Sequence, residues 1–432
     1  MAVYKLFPSK DATINSRYNE SNHGLDAILE VSQFKNDITT PLTTIANRDT
    51  WDQTNYVWIS SSISGGVTTS GSIPSANFFW NNTPTVTESV PLQLNRFLVE
   101  YDQLQIEDVI DNLVGSADWD ASLKHFIAYA EDVDEQTILE IFPIAYEWEN
   151  GTGQTGDSPR NEDGVSWRNR IKRGTSNRIW PTGSGELYVT ASAPLSLPGG
   201  GAWYSGSTDL DLHLPYEVSF STRTFKDLDV NITKLVDTWI NTSKRTNAYT
   251  PIHNRGLIVK LSERQEFNSS LDVQPKFRFF SVDTNTIYPP ILEIKWEDYN
   301  HSSSLNEVTT QDIFIGLDNN QGEFNSNSVN RFRLNVRPEF PTRTYQTESY
   351  YTTNHILPTS SYYAIKDLDT NEYVVDFDKK YTKISADDTS NYFDVHMNGL
   401  EPERYYKILV KTDINNETIV KDEKYYFKVI NG

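Results

Sequence analysis

An all-β chain, a jelly-roll-type β-sandwich followed by a smaller Ig/fibronectin-like β-sandwich, is what this sequence predicts. Two observations lead there: an aromatic-rich composition and short runs of strictly alternating residues. Of the 432 residues, 24 are Tyr, 20 Phe and 10 Trp, while hydrophobic residues in total make up only 37%. Aromatic side chains bury large areas and, with Val and Thr, favour pleated, half-buried surfaces over helix bundles.

The alternation is explicit at Leu123, His125, Ile127 and Tyr129, and again at Ile138, Glu140, Phe142 and Ile144. It recurs at Leu257-Val259-Leu261, Phe277-Phe279 and Leu292-Ile294-Trp296, each run short and bounded by turn residues. One helix stands out, because Ile232, Leu235, Val236, Trp239 and Ile240 share a face at helical spacing. Asp229-Val230 before it reads as strand, and a second short helix fits Gln105 to Leu113.

A chain of this length exceeds one ordinary core. The composition shifts at Glu297 to Asn306, where Ser302-Ser303-Ser304 interrupts the pattern. The expected division is therefore 1–297 as a jelly-roll-type module with long loop insertions, 298–309 as a linker and 310–432 as the smaller sandwich. In this last part strands are expected at Arg331 to Val336, Tyr363 to Ile365, Tyr373 to Val375, Tyr406 to Val410 and Tyr425 to Val429. Asn398 to Tyr406 reads as the corner before a penultimate sandwich strand, where a Tyr commonly bonds back to the preceding backbone. Two loops are unusually long, Thr50 to Asn82 and Gly183 to Gly206, and loops of such length are often functional or ordered by a partner.

The formal charge is 38 − 59 = −21. A surface this acidic repels phosphate and anionic lipid, so neither nucleic acid nor membrane is an expected partner. No stretch approaches the roughly 18 apolar residues of a membrane span. Without cysteine there is neither a disulfide nor a thiolate nucleophile. The N-terminus Met1-Ala2-Val3-Tyr4-Lys5 runs into strand-like sequence without a leader pattern, so folding in a cytoplasm is expected.

Catalytic signals are sparse. Gly151, Gly153 and Gly156 spell G-x-G-x-x-G, but Asp157-Ser158-Pro159 follows, where a dinucleotide site needs a helix. The seven histidines are scattered, none in an H-E-x-x-H arrangement. No cofactor is expected. A structural calcium ion is the one candidate, from the pairs Asp132/Asp134, Asp209/Asp211, Asp227/Asp229 and Asp367/Asp369, with solvated strand ends as the plainer reading. Paired acids for glycoside hydrolysis show themselves only in space. Trp148, Trp167, Trp180 and Trp203 sit around Gly-rich loops as candidate ligand or partner contacts, with burial that pins those loops to the sandwich as the plainer reading.

Several segments resemble the DNRLRE-type (disaggregatase-related) jelly-roll modules, which are allied to carbohydrate-binding modules. They are Lys10 to Ile14 with Asn22 to Asp26, Leu94 to Tyr101, Tyr146-Glu147-Trp148 with Asp163 to Arg170, Asp229 to Trp239, and Phe279 to Trp296. The whole chain also resembles virion structural proteins of T4-like marine cyanophages, through Phe7 to Val31, Gly151 to Pro159, Gly322-Glu323-Phe324, Arg331 to Arg333, Phe340 to Arg343 and Gly399 to Tyr406. The resemblance implies a non-enzymatic structural component of a phage virion, a tail, baseplate or neck accessory protein assembled in the host cytoplasm. Its expected partners are other virion proteins, with several copies per particle. Two alternatives stand beside it: a carbohydrate-binding module that adsorbs to a host surface glycan, and a hydrolase.

Overall fold

The computed structural model describes residues 2–34, 37–41, 61–64, 67–70, 77–80, 85–89, 93–133, 137–181, 189–191, 199–204, 212–221, 227–244, 252–266, 275–341 and 353–431. Strand accounts for 49% of the chain and helix for 9%, so the all-β expectation holds. Both long loops lie largely outside the described residues, as do Asp134, Asp209 and Asp211.

The chain forms two compact units. One comprises residues 7–107 and 122–292, and the other residues 1–6, 108–121 and 293–432. These are not the contiguous blocks read from the sequence. The N-terminal strand Ala2–Leu6 belongs with the C-terminal sandwich, where Val3 packs on the core and Asn398 donates to the Lys5 carbonyl at 3.2 Å. Residues 298–309, read as a linker, are bonded into that sandwich. The Ser302 amide donates to the Ala386 carbonyl and the Val308 amide to the Ile356 carbonyl, both at 2.9 Å, and Val308 is a core residue. A polar composition marks exposure, and a strand-like wall of a sandwich shares it with a linker.

In the larger unit one sheet runs, in order, through Ile127–Glu131, Lys276–Phe280, Ile28–Phe34, Gln93–Glu100, Leu257–Leu261, Thr137–Pro143 and Tyr216–Phe220, with Lys10–Asn15 also paired to Gln93–Glu100. All its pairings given by register are antiparallel. The antiparallel sheets of the chain include a curled half-barrel. The period-2 pattern explains the burial. In Lys276–Phe280 the alternate residues Phe277 and Phe279 are inside, while Lys276 and Arg278 face the other way. The expected helix is Thr233–Lys244, and Ile232, Leu235, Val236, Trp239 and Ile240 are all buried. The second is Gln103–Asp108, continued as a wider π-helical segment Val109–Val114 that belongs to the smaller unit.

The smaller unit is a sandwich. Its four-stranded sheet has the order Ile313–Asp318, Val329–Pro338, Asn391–His396, Ser385–Ala386. Its five-stranded sheet has the order Glu323–Asn325, Glu417–Ile430, Tyr405–Ile414, Ser361–Asp367, Tyr373–Val375. Alternate residues of both sheets meet in one core, including Phe332, Leu334, Tyr363, Ile365, Phe393 and Phe427. The expected corner is present: Tyr406 Oη donates to the Glu401 carbonyl at 2.9 Å.

Candidate functional site

The Gly-rich segment and the tryptophans lie in the larger unit. Gly151 bridges Gly164 as an isolated antiparallel pair, and the loop between them docks on residues 22–26. Asn22 is the pin. Its amide nitrogen donates to the carbonyls of Asn150 (2.6 Å) and Val165 (2.8 Å), and its amide oxygen accepts from the Gly153 backbone N–H (2.7 Å) and the Gly24 N–H (3.2 Å). A Cβ on Gly153 would sit 2.4 Å from the Asn22 carbonyl oxygen, and one on Gly164, at φ +101°, would meet Gly151 Cα at 2.4 Å. These glycines let two backbones touch. After the loop come the strands Asn169–Arg173 and Ser176–Ile179. Gly153→Ala is therefore expected to cost at least about 1–3 kcal/mol through overpacking, read as a lower midpoint in urea denaturation. A parent-like midpoint would show that the close approach is not needed.

Trp148, Trp167, Trp180 and Trp203 are all buried, which corrects their reading as ligand or partner contacts. The physical reason is that their own neighbours occupy them. Trp148 Nε1 donates to the Arg255 carbonyl (2.9 Å) with the Lys10 ammonium 4.6 Å above the ring, and Trp180 Nε1 donates to the Ser166 carbonyl (3.0 Å). The Arg96 guanidinium lies 4.9 Å from the Trp167 ring centre and 5.4 Å from that of Trp203. Arg96 itself is fully buried. Its Nε and Nη2 form a bidentate pair with Glu266 (2.8 and 2.7 Å), and Nη1 donates to the Gly200 carbonyl (2.6 Å). Lys260 Nζ joins this network at 3.9 Å from Glu266 and 2.5 Å from Glu140. The indoles thus cover a buried ion-pair network with cation–π contacts.

The open site lies elsewhere on the same unit. A cleft of about 740 Å³ is lined by Thr13, Asn15, Tyr18, Glu30, Asn95 and Arg278, with Gln154 to Asp157 and Arg160 from the docked loop. A second cavity of about 380 Å³ shares Asn15, Tyr18, Glu30 and Asn95 and continues to Ser32, Gln33, Asp132 and Lys276. Glu30 is the hub. Cross-strand register sets it opposite Arg278, and Ser32 opposite both Lys276 and Asn95. The Glu30 carboxylate accepts from Asn95 Nδ2 (2.5 Å), Ser32 Oγ (2.9 Å) and Arg278 Nε (3.2 Å). At the other wall His23 Nδ1 lies 3.3 Å from Asp26, which also accepts the Thr155 amide (2.7 Å) and hydroxyl (2.6 Å). Burial alone would raise the Asp26 carboxyl, yet the bonds from His23 and Thr155 hold it below the ordinary value. Arg160 stacks on the Tyr18 ring at 4.0 Å.

Sequence reasoning missed this set. The signal was present in the polar half of the alternation, Glu30 and Ser32 between Leu29, Val31 and Gln33, and Lys276 and Arg278 around Phe277. What it lacked was the strand order that brings those halves together.

Of the aspartate pairs, Asp367 binds Arg404 in a bidentate pair (2.5 and 2.7 Å) and caps the Asp369 and Thr370 amides. Asp227 accepts the Ile127 amide (2.8 Å), and Asp229 lies 3.8 Å from Lys124. Among the described residues no group of three or more His, Asp or Glu converges as a metal site. The chain matches no family model, no curated protein and no solved structure.

Proposed function

We propose that this chain is a non-enzymatic structural component of a phage virion, a tail, baseplate or neck accessory protein that works through protein–protein interfaces. The sequence resemblance supports the reading, and one structural observation carries it. The outer face of the five-stranded sheet in the smaller unit exposes a tyrosine–lysine surface. Register aligns Tyr373 with Lys366, Lys366 with Lys407 and Lys407 with Tyr426 across four strands, and pairs Tyr405 with Lys428 beside them. Tyr373, Tyr405 and Tyr426 are 45, 49 and 40% exposed. Tyrosine is enriched at interfaces because it adds large area at low entropic cost, whereas an exposed cluster gives an isolated domain little. In lysates of infected host cells the protein is expected to sediment with intact particles in more than one copy. The Tyr373→Ser/Tyr405→Ser/Tyr426→Ser variant should fold but drop out of the particle fraction. Recovery of the parent protein only in the soluble fraction would overturn the proposal.

The second reading, adsorption to a host-surface glycan, draws on the polar cleft around Glu30, since sugar recognition calls for converging planar hydrogen-bonding groups.

A further inference from the structure

We infer that the two cavities sharing Glu30 form one trough for an extended, uncharged oligosaccharide, laid along the Ile28–Phe34 strand with Glu30 at its centre. This rests on the glycan reading of the cleft and names its ligand class.

The first argument is the chemistry of the walls. Glu30, Asp26, Asn15, Asn95, Arg278 and Arg160 are carboxylates, amides and guanidinia. Each is planar and offers two hydrogen-bonding atoms side by side, which fits the neighbouring hydroxyls of a sugar ring. Glu30 is also held in place: Asn95, Ser32 and Arg278 fix its carboxylate, so it meets a ligand without first losing rotamer freedom.

The second argument is charge. The hub carboxylates already have partners, Glu30 in Arg278 (3.2 Å) and Lys276 (3.9 Å), and Asp26 in His23 (3.3 Å). Both signs line each cavity, Asp157 and Arg160 in the larger, and Glu131, Asp132, Arg17 and Lys276 in the second. A polyanion would face Glu30, Asp26 and Asp157, and a polycation would face Arg160 and Arg278. An uncharged polar chain meets no unfavourable sign on either wall.

The third argument is length. The lining runs from Ile28 in the larger cavity to Ser32 in the second, four residues along one strand. At about 3.3 Å per residue that is roughly 13 Å, longer than a single sugar ring. A monosaccharide would leave part of the trough empty, so affinity should grow with chain length.

The test uses the full-length protein and a panel of neutral gluco-, galacto- and manno-oligosaccharides from one to six rings. Uronate oligomers, sulfated oligomers and a polar peptide pool are run alongside, with affinities by calorimetry. At least one neutral series is expected to bind with an affinity that rises tenfold or more from monomer to tetramer. Glu30→Gln and the more exposed Arg278→Gln should each lower it at least tenfold while leaving the thermal midpoint within a few degrees. Preference for uronate, sulfated or peptide probes would overturn the ligand class. Neutral-sugar binding that neither variant weakens would overturn the site and leave the glycan reading standing. No saccharide binding at millimolar concentration would overturn both.

Discussion

Glu266→Ala is expected to lower the stability of the larger unit by about 3–5 kcal/mol, because it leaves the Arg96 guanidinium buried without its counter-charge. Arg96 and Glu266 side chains are each 1% exposed, so water cannot take over the lost bonds. The Gly200 carbonyl accepts from one guanidinium nitrogen but carries no counter-charge. Lys260 does not help, since removing Glu266 leaves two buried cations, with Glu140 paired to Lys260. The double variant Arg96→Met/Glu266→Leu should be far milder, because a buried pair replaced by apolar residues of similar volume is often neutral or better. Urea denaturation followed by tryptophan fluorescence reads both, as Trp167 and Trp203 lie over Arg96. A Glu266→Ala variant within about 1 kcal/mol of the parent would mean that the network is open to solvent.

The second large effect concerns pH. His125 is fully buried between Phe97 (5.0 Å) and Phe279 (6.1 Å), and burial pushes its imidazole down to about 3. Asp11 is buried on the same unit, and burial pushes its carboxyl up to about 7 even though the Val282 amide donates to it. The two act in opposite directions. Between about pH 3 and 6.5 the unfolded chain protonates His125 and the folded one does not, so this residue makes stability fall as pH falls. Between about pH 3.8 and 7 the folded chain keeps Asp11 protonated and the unfolded one does not, so Asp11 makes stability rise as pH falls. Each contributes about 1.4 kcal/mol per pH unit within its window, and in the overlap they offset.

Single variants should therefore separate them. Asp11→Asn is expected to be acid-sensitive, losing on the order of 4 kcal/mol relative to the parent from pH 7 to 3.8. His125→Phe, which suits the aromatic surroundings, should gain a similar amount over the same range. Denaturation midpoints at four pH values decide this. Parallel pH profiles for the two variants would show that neither group is shifted as its burial implies.

Much of the candidate site was legible as pieces and illegible as a site. Gly151 and Gly153 read in the sequence as part of a G-x-G-x-x-G without its helix, and their purpose is close packing on Asn22, with Gly164 packed on Gly151. Asn22 entered the sequence reading only within the resemblance segment Asn22 to Asp26, yet its four bonds anchor the loop that supplies Arg160 to the cleft. The tryptophans left two readings open for a physical reason. An indole near glycine and polar residues has the same local pattern whether it faces water or covers a buried Arg96.

By itself the sequence determined what depends on local periodicity. The alternation at Leu257 to Leu261 and Phe277 to Phe279, the helical face from Ile232 to Ile240 and the Tyr406 corner all reflect side-chain direction along a single element, which neighbours within a few residues dictate. Tertiary structure decided whatever depends on partners distant in the chain. It joined Ala2–Leu6 to a sandwich begun some three hundred residues later, and it set Glu30 beside Arg278 and Asn95. It also hid Arg96 and Glu266 from water. Strand order carries no periodic signal, because backbone hydrogen bonds pair any two strands of suitable pattern. The choice among partners is made by the whole core at once.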